Sequence, residues 1–131
     1  MKIIVDKIDE YPRHAISRAD IHLILSAVPA AWSENVKVVR LSASGSAASV
    51  ALYARPHETL TIASRGHTKE GTLHRVLVEL AGHARGFKHR AFQHLQSRYE
   101  SQIETLVAPL MAELLPQLSQ KNRLVNDESV A

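Results

Sequence analysis

The chain has 131 residues, enough for one hydrophobic core and too few for two. Apolar residues make up 45% and charged residues 22%, a globular balance that excludes an acidic disordered tail, and no apolar run approaches the ~18 residues of a spanning helix. Cysteine is absent, which removes disulfides, thiolate catalysis and thiolate-held zinc or iron–sulfur sites, so any metal would need His, Asp or Glu.

Taken in order, Lys2–Val5 reads as a short strand or extended lead-in, closed off by Tyr11-Pro12. Ser17 followed by Asp20 has the form of a capping box, with Ile16 and Ile21 as its hydrophobic staple, and Ile21, Ile24, Leu25 and Val28 continue at helical spacing until Pro29. Val36–Leu41 is β-branched and short, a strand, and the Ser/Gly-rich stretch Ser42–Ser49 is a loop. Ser49–Arg55 and Glu58–Ser64 read as an antiparallel hairpin, with Val50, Leu52, Leu60 and Ile62 facing the core and Thr59 and Thr61 away from it.

Thr68 is placed to cap a central helix whose stripe is Leu73, Val76, Leu77, Leu80, Ala81 and Ala84, ending at Gly86. A further helix starts near Phe87 or Lys88 and runs through Phe92, Leu95 and Tyr99, continued by Ile103, Leu106, Val107, Leu110, Met111, Leu114, Leu115 and Leu118, with Pro109 and Pro116 as kinks or breaks. Trp32, Tyr53, Phe87, Phe92 and Tyr99 read as core or half-buried anchors. The expected fold class is α+β: an N-terminal helix, a small antiparallel sheet of about three strands, a central helix and a C-terminal helical segment. Residues 1–131 form one domain with its core over 16–118 and a frayed end over 121–131.

Charge is concentrated in about a quarter of the chain, residues 65–98. Net charge is +3 overall, yet residues 65–98 hold seven Lys/Arg against two acids, a local +5, and the rest carries −2. Five of the eight histidines (His67, His74, His83, His89 and His94) lie in the same stretch. Such a run is ordinarily a solvated helical face, and alternatively a binding surface.

The segment Leu77-Val78-Glu79-Leu80-Ala81-Gly82-His83-Ala84, preceded by the hairpin Ala51–Ile62 with its Tyr53 and Thr59-Leu60-Thr61-Ile62, resembles the minimal zincin domains of the SprT-like and ImmA-like metallopeptidases. The resemblance covers roughly Ser17 to Tyr99, with Thr72–Ala84 as the metallopeptidase helix and His89 with Phe92 similar to the segment that brings the third ligand. It implies a hairpin along an active-site cleft and a helix carrying H-E-x-x-H, whose two imidazoles share a zinc ion while the Glu activates water.

In this chain the two histidine positions of that motif hold Val78 and Gly82, and Glu79, the would-be catalytic base, is retained. Neither replacement has a side-chain lone pair, so the resemblance implies a degenerate site without a cofactor. A displaced zinc site from Glu79, His83 and His89 is chemically adequate, although His83 is turned about 100° around the helix from position 82. A histidine in the last turn before a glycine also gains from the free carbonyls without any metal. His74 lies on the cleft-side stripe, four before Val78, and reads either as a ligand-binding residue or as a half-buried histidine bonded to the neighbouring strand. Arg75 and Glu79 form an i,i+4 pair.

Three functions follow: a non-catalytic zincin-like interaction module, a zinc metallopeptidase with displaced ligands, or a non-specific DNA-binding protein. The partner surface is the basic segment 65–98, through Arg75, Arg85, Lys88, Arg90, Arg98 and His74. The surplus of aliphatics over Ile103–Leu118 predicts a homodimer through that helix. The charge of Asp6 after only three apolar residues, where a secretory signal would continue apolar, and the lack of cysteine predict a cytoplasmic protein without membrane contact.

Overall fold

A computed structural model describes the placement of residues 1–43, 51–54, 58–84 and 96–130, with side chains over 1–43, 58–84 and 101–118. The described strands are β1 (Lys2–Val5), β2 (Val38–Leu41), β3 (Ala51–Ala54) and β4 (Thr59–Ile62), and the helices α1 (Arg18–Ala27), α2 (Ala30–Ser33), α3 (Lys69–Ala84) and α4 (Gln96–Val130). The mixed α+β class expected from the sequence is present.

The sheet differs from expectation. It has four strands in the order β1-β2-β4-β3, with β1–β2 and β2–β4 parallel and β3–β4 antiparallel. The predicted antiparallel sheet of about three strands is therefore corrected to a mixed one. The reason lies in the connections: α1 carries the chain back between β1 and β2, which forces them parallel, and β3 supplies the return stroke that leaves β4 parallel to β2. Within the hairpin the register sets Tyr53 opposite Leu60 and Leu52 opposite Thr61, one residue off the predicted alternation. Val50 lies outside the described residues.

Local signals behave as their chemistry dictates. The Ser17 hydroxyl accepts from Asp20 N at 3.2 Å and the Asp20 carboxylate accepts from Ser17 N at 2.9 Å, a complete capping box with Ile16 and Ile21 buried beside it. At α3, Thr68 Oγ1 accepts from Gly71 N at 3.0 Å. Pro29 ends α1 and opens the one-turn α2, on which Trp32 is half-buried against the core. Gly66 has φ 83°, the left-handed turn conformation that leads from β4 into α3.

One face of the sheet, with Ile3, Val39, Leu41, Leu60 and Ile62, is buried beneath α1 and α3. The seam among Ile21, Ile24, Leu25, Leu60, Ile62 and Val76 leaves no space for a water molecule. The other face carries Lys2, Ile4 and Arg40, exposed, and Val38, Thr59 and Thr61, half-buried. α4 packs on α3 and α1, burying Ile103, Val107, Leu114 and Leu118, whose 4-7-4 spacing keeps one stripe inward. Pro109 and Pro116 sit on its exposed side, and the helix passes through both without ending. The backbone is helical to Val130, where the sequence suggests fraying from 121. No helix among the described residues is long and apolar enough to cross a membrane.

At the carboxyl ends of the parallel strands, polar contacts tie the loops together. The Arg40 guanidinium grips Asp6 through Nε at 3.2 Å and Nη2 at 3.0 Å, and Ala43 N donates to the same carboxylate at 3.1 Å. Arg65 Nε donates to Pro12 O at 2.8 Å, joining the loop after β4 to the loop after β1. The hydrogen bond from Arg40, with the Ala43 N–H, holds the Asp6 carboxyl below its ordinary value of 3.8. A depressed folded value means the carboxylate stabilises the fold above the ordinary value and ceases to as pH falls through the lowered one. The stability difference between wild type and Asp6→Asn, taken from urea midpoints, is thus expected to be largest at neutral pH and to shrink below pH about 4. A difference independent of pH would show that this pair does not form.

Candidate functional site

The residues that the sequence singles out are distributed along α3. Positions 74, 78 and 82 succeed each other every four residues and so lie on one stripe of the helix. Val78 and Gly82 are both buried. A Cβ built on Gly82 would lie 3.6 Å from Ile103 Cδ1 of α4, and eight residues earlier His74 Nε2 is 2.5 Å from Glu104 Oε1 of the same helix. Contacts at both ends of the stripe lay α4 across it.

Glu79 is next to this stripe. Its Oε1 accepts from Arg75 Nη2 at 2.6 Å, the i,i+4 pair expected from the spacing, and its side chain is largely buried. A carboxylate held this way by a guanidinium faces a cation that is already in place. His83 is half-buried in the last turn of α3. His89, the third member of the displaced set, lies outside the described residues, as do Arg85, Lys88 and Arg90; Arg98 falls within α4, and its side chain is not described. Among the described residues no three His, Asp or Glu side chains come close enough to share a metal ion.

No protein-family model, curated protein or solved structure matches the chain.

Of the basic segment's described cations, three are spent inside the chain. Arg65 reaches Pro12 O, Arg75 holds Glu79, and His74 meets Glu104, a residue of the opposing helix rather than of a strand. The aliphatic surplus expected on α4 is mostly consumed by the chain's own core: Ile103, Val107, Leu114 and Leu118 are buried and Leu110, Met111 and Leu115 partly so, which leaves Leu106 as the exposed large aliphatic among the described residues of that helix. Ile103 is the site residue that sequence reasoning passed over, grouping it with the other aliphatics. A glycine inside an otherwise well-filled helical stripe was the available signal, since it marks a close approach by another element.

Proposed function

We propose that this chain is a non-catalytic, zincin-like domain that serves as a macromolecular interaction module in the cytoplasm. The observation that carries the reading is the pair Val78 and Gly82: where a metallopeptidase helix would present two imidazoles, this one presents an isopropyl group and a backbone, with Ile103 packed at the second position. The pairing of Glu79 with Arg75 supports the same view, because the retained acid is already neutralised by a neighbour.

The test is a zinc titration of untagged protein followed by thermal unfolding. A ligand that binds only the folded state stabilises it by about 2.7 kcal/mol at a hundred times its Kd, so a real site would raise Tm by several degrees. The expected result is no shift and less than stoichiometric bound metal; a raised Tm with one zinc per chain would establish the displaced Glu79, His83 and His89 site instead.

A nucleic-acid partner is the second reading, favoured by the local +5 of residues 65–98. Since Arg75 and His74 are paired within the chain, it falls to Arg85, Lys88, Arg90 and Arg98. Four phosphate contacts give a slope of log K against log salt of about −3 to −4, and DNA affinity measured at two salt concentrations reads it directly. Salt-independent binding, or none at low salt, leaves a protein as the partner.

A further inference from the structure

β1 is an edge strand, with β2 on one side and, among the described residues, no strand on the other. Lys2 N donates to Lys37 O and Asp6 N to Leu41 O, each at 2.9 Å, so the even-numbered residues spend their backbone groups on β2. By the alternation of a strand, the N–H and C=O groups of Ile3 and Val5 point off the sheet. Arg18 reports the same direction, since its Nη1 donates to Ile3 O at 3.1 Å from outside the ladder. The strand and the residue before it are also unusually apolar for an edge: Met1, Ile4 and Val5 are 61%, 36% and 37% exposed, three of the five exposed large hydrophobics among the described residues.

We propose that β1 pairs antiparallel with β1 of a second copy of this chain, about a two-fold axis at Ile4, so that two four-stranded sheets become one. The outward groups select the register. Setting Ile3 opposite Val5 of the second copy lets both residues of both strands exchange hydrogen bonds within β1, and it sets Ile4 opposite Ile4 in a non-hydrogen-bonded pair with Cα atoms about 4.5 Å apart.

The same register sets Lys2 opposite Asp6 of the second copy at both ends of the strand, where Lys2 adds a second cation to a carboxylate already held by Arg40 and the Ala43 N–H, on either side of an apolar centre. Sliding by two residues either way sets Lys2 or Asp6 against Ile4 and loses both matches. This self-complementarity is what names a second copy, and no other peptide, as the occupant. Arg18 acts as a brake, since it occupies one lone pair of an acceptor that the partner strand needs.

The chain has no cysteine, so Ile4→Cys carries a single thiol. In the proposed pair the two thiols introduced at position 4 fall within disulfide range, whereas residues at position 2 are about 13 Å apart across the axis and beyond it. In a glutathione redox buffer, Ile4→Cys is expected to form covalent dimers about tenfold or more faster than Lys2→Cys or Leu106→Cys, the gain in effective concentration of a formed pair.

Sedimentation of the wild type should show mass rising from one copy to two with concentration, and Arg18→Ala should dimerise at lower concentration. Val5→Pro removes an outward N–H and no bond to β2, so it should stay monomeric with its thermal unfolding intact. A single-copy mass up to about 1 mM would overturn the proposal. So would Lys2→Cys linking as fast as Ile4→Cys, or Leu106→Cys linking faster, which would put the contact on α4.

Discussion

Truncating Ile103 to alanine is expected to cost about 2–5 kcal/mol, a quarter to half of what holds a domain of this size together. The side chain is 1% exposed and its Cδ1 fills the space beside Gly82, so its loss opens a cavity between α3 and α4 that neither helix can collapse alone. Urea unfolding should show a lower midpoint with an unchanged slope. Leu106, three residues along the same helix and 37% exposed, is the control, with a cost below about 1 kcal/mol on truncation. Equal costs at the two positions would mean that α4 does not cover the stripe.

The second large effect concerns Gly82 and depends on the size of what replaces it. A Cβ there sits in ordinary van der Waals contact with Ile103, so Gly82→Ala should be neutral or stabilising by up to about 1 kcal/mol through its helix propensity. Gly82→His must place a ring where Ile103 already lies, an overpacking worth about 1–3 kcal/mol against stability. Combining Gly82→His with Ile103→Ala should recover part of the summed loss, because the two residues compete for one space and their effects are coupled by about 0.5–3 kcal/mol. If Gly82→His is tolerated as well as Gly82→Ala, an open cleft runs along α3 and the reading of a filled site falls.

These expectations show where the sequence was informative. The capping box of Ser17 and Asp20, the Thr68 cap and the β3–β4 hairpin were legible because their partners lie within a few residues. The parallel ladders were not, since β1 meets β2 and β2 meets β4 across long separations. The order strand, helix, strand around α1 nonetheless implies the first of them by the crossover rule. Pro109 and Pro116 read as kinks or breaks from propensity alone, and the helix does not break at either, because the exposed side of a packed helix can leave its unpaired carbonyls to water.

The site divides in the same way. Val78, Glu79 and Gly82 were singled out only through the resemblance to a metallopeptidase helix, and the Arg75–Glu79 pair through its spacing. That Glu104 meets His74 and Ile103 meets Gly82 could not, since nothing local in residues 103 and 104 announces which face of which helix they reach. For the proposed function this matters directly: a small residue alone at position 82 would leave a groove on α3, whereas Gly82 with Ile103 seated against it leaves a packed wall.

The most direct measurement is the nuclear Overhauser effect between the Ile103 δ1 methyl and the Gly82 α protons in untagged protein, recorded with and without stoichiometric zinc. A strong cross-peak, unchanged by the metal, is expected. Its absence, or its loss on adding zinc together with shifts in the His83 and His89 rings, would contradict a filled site.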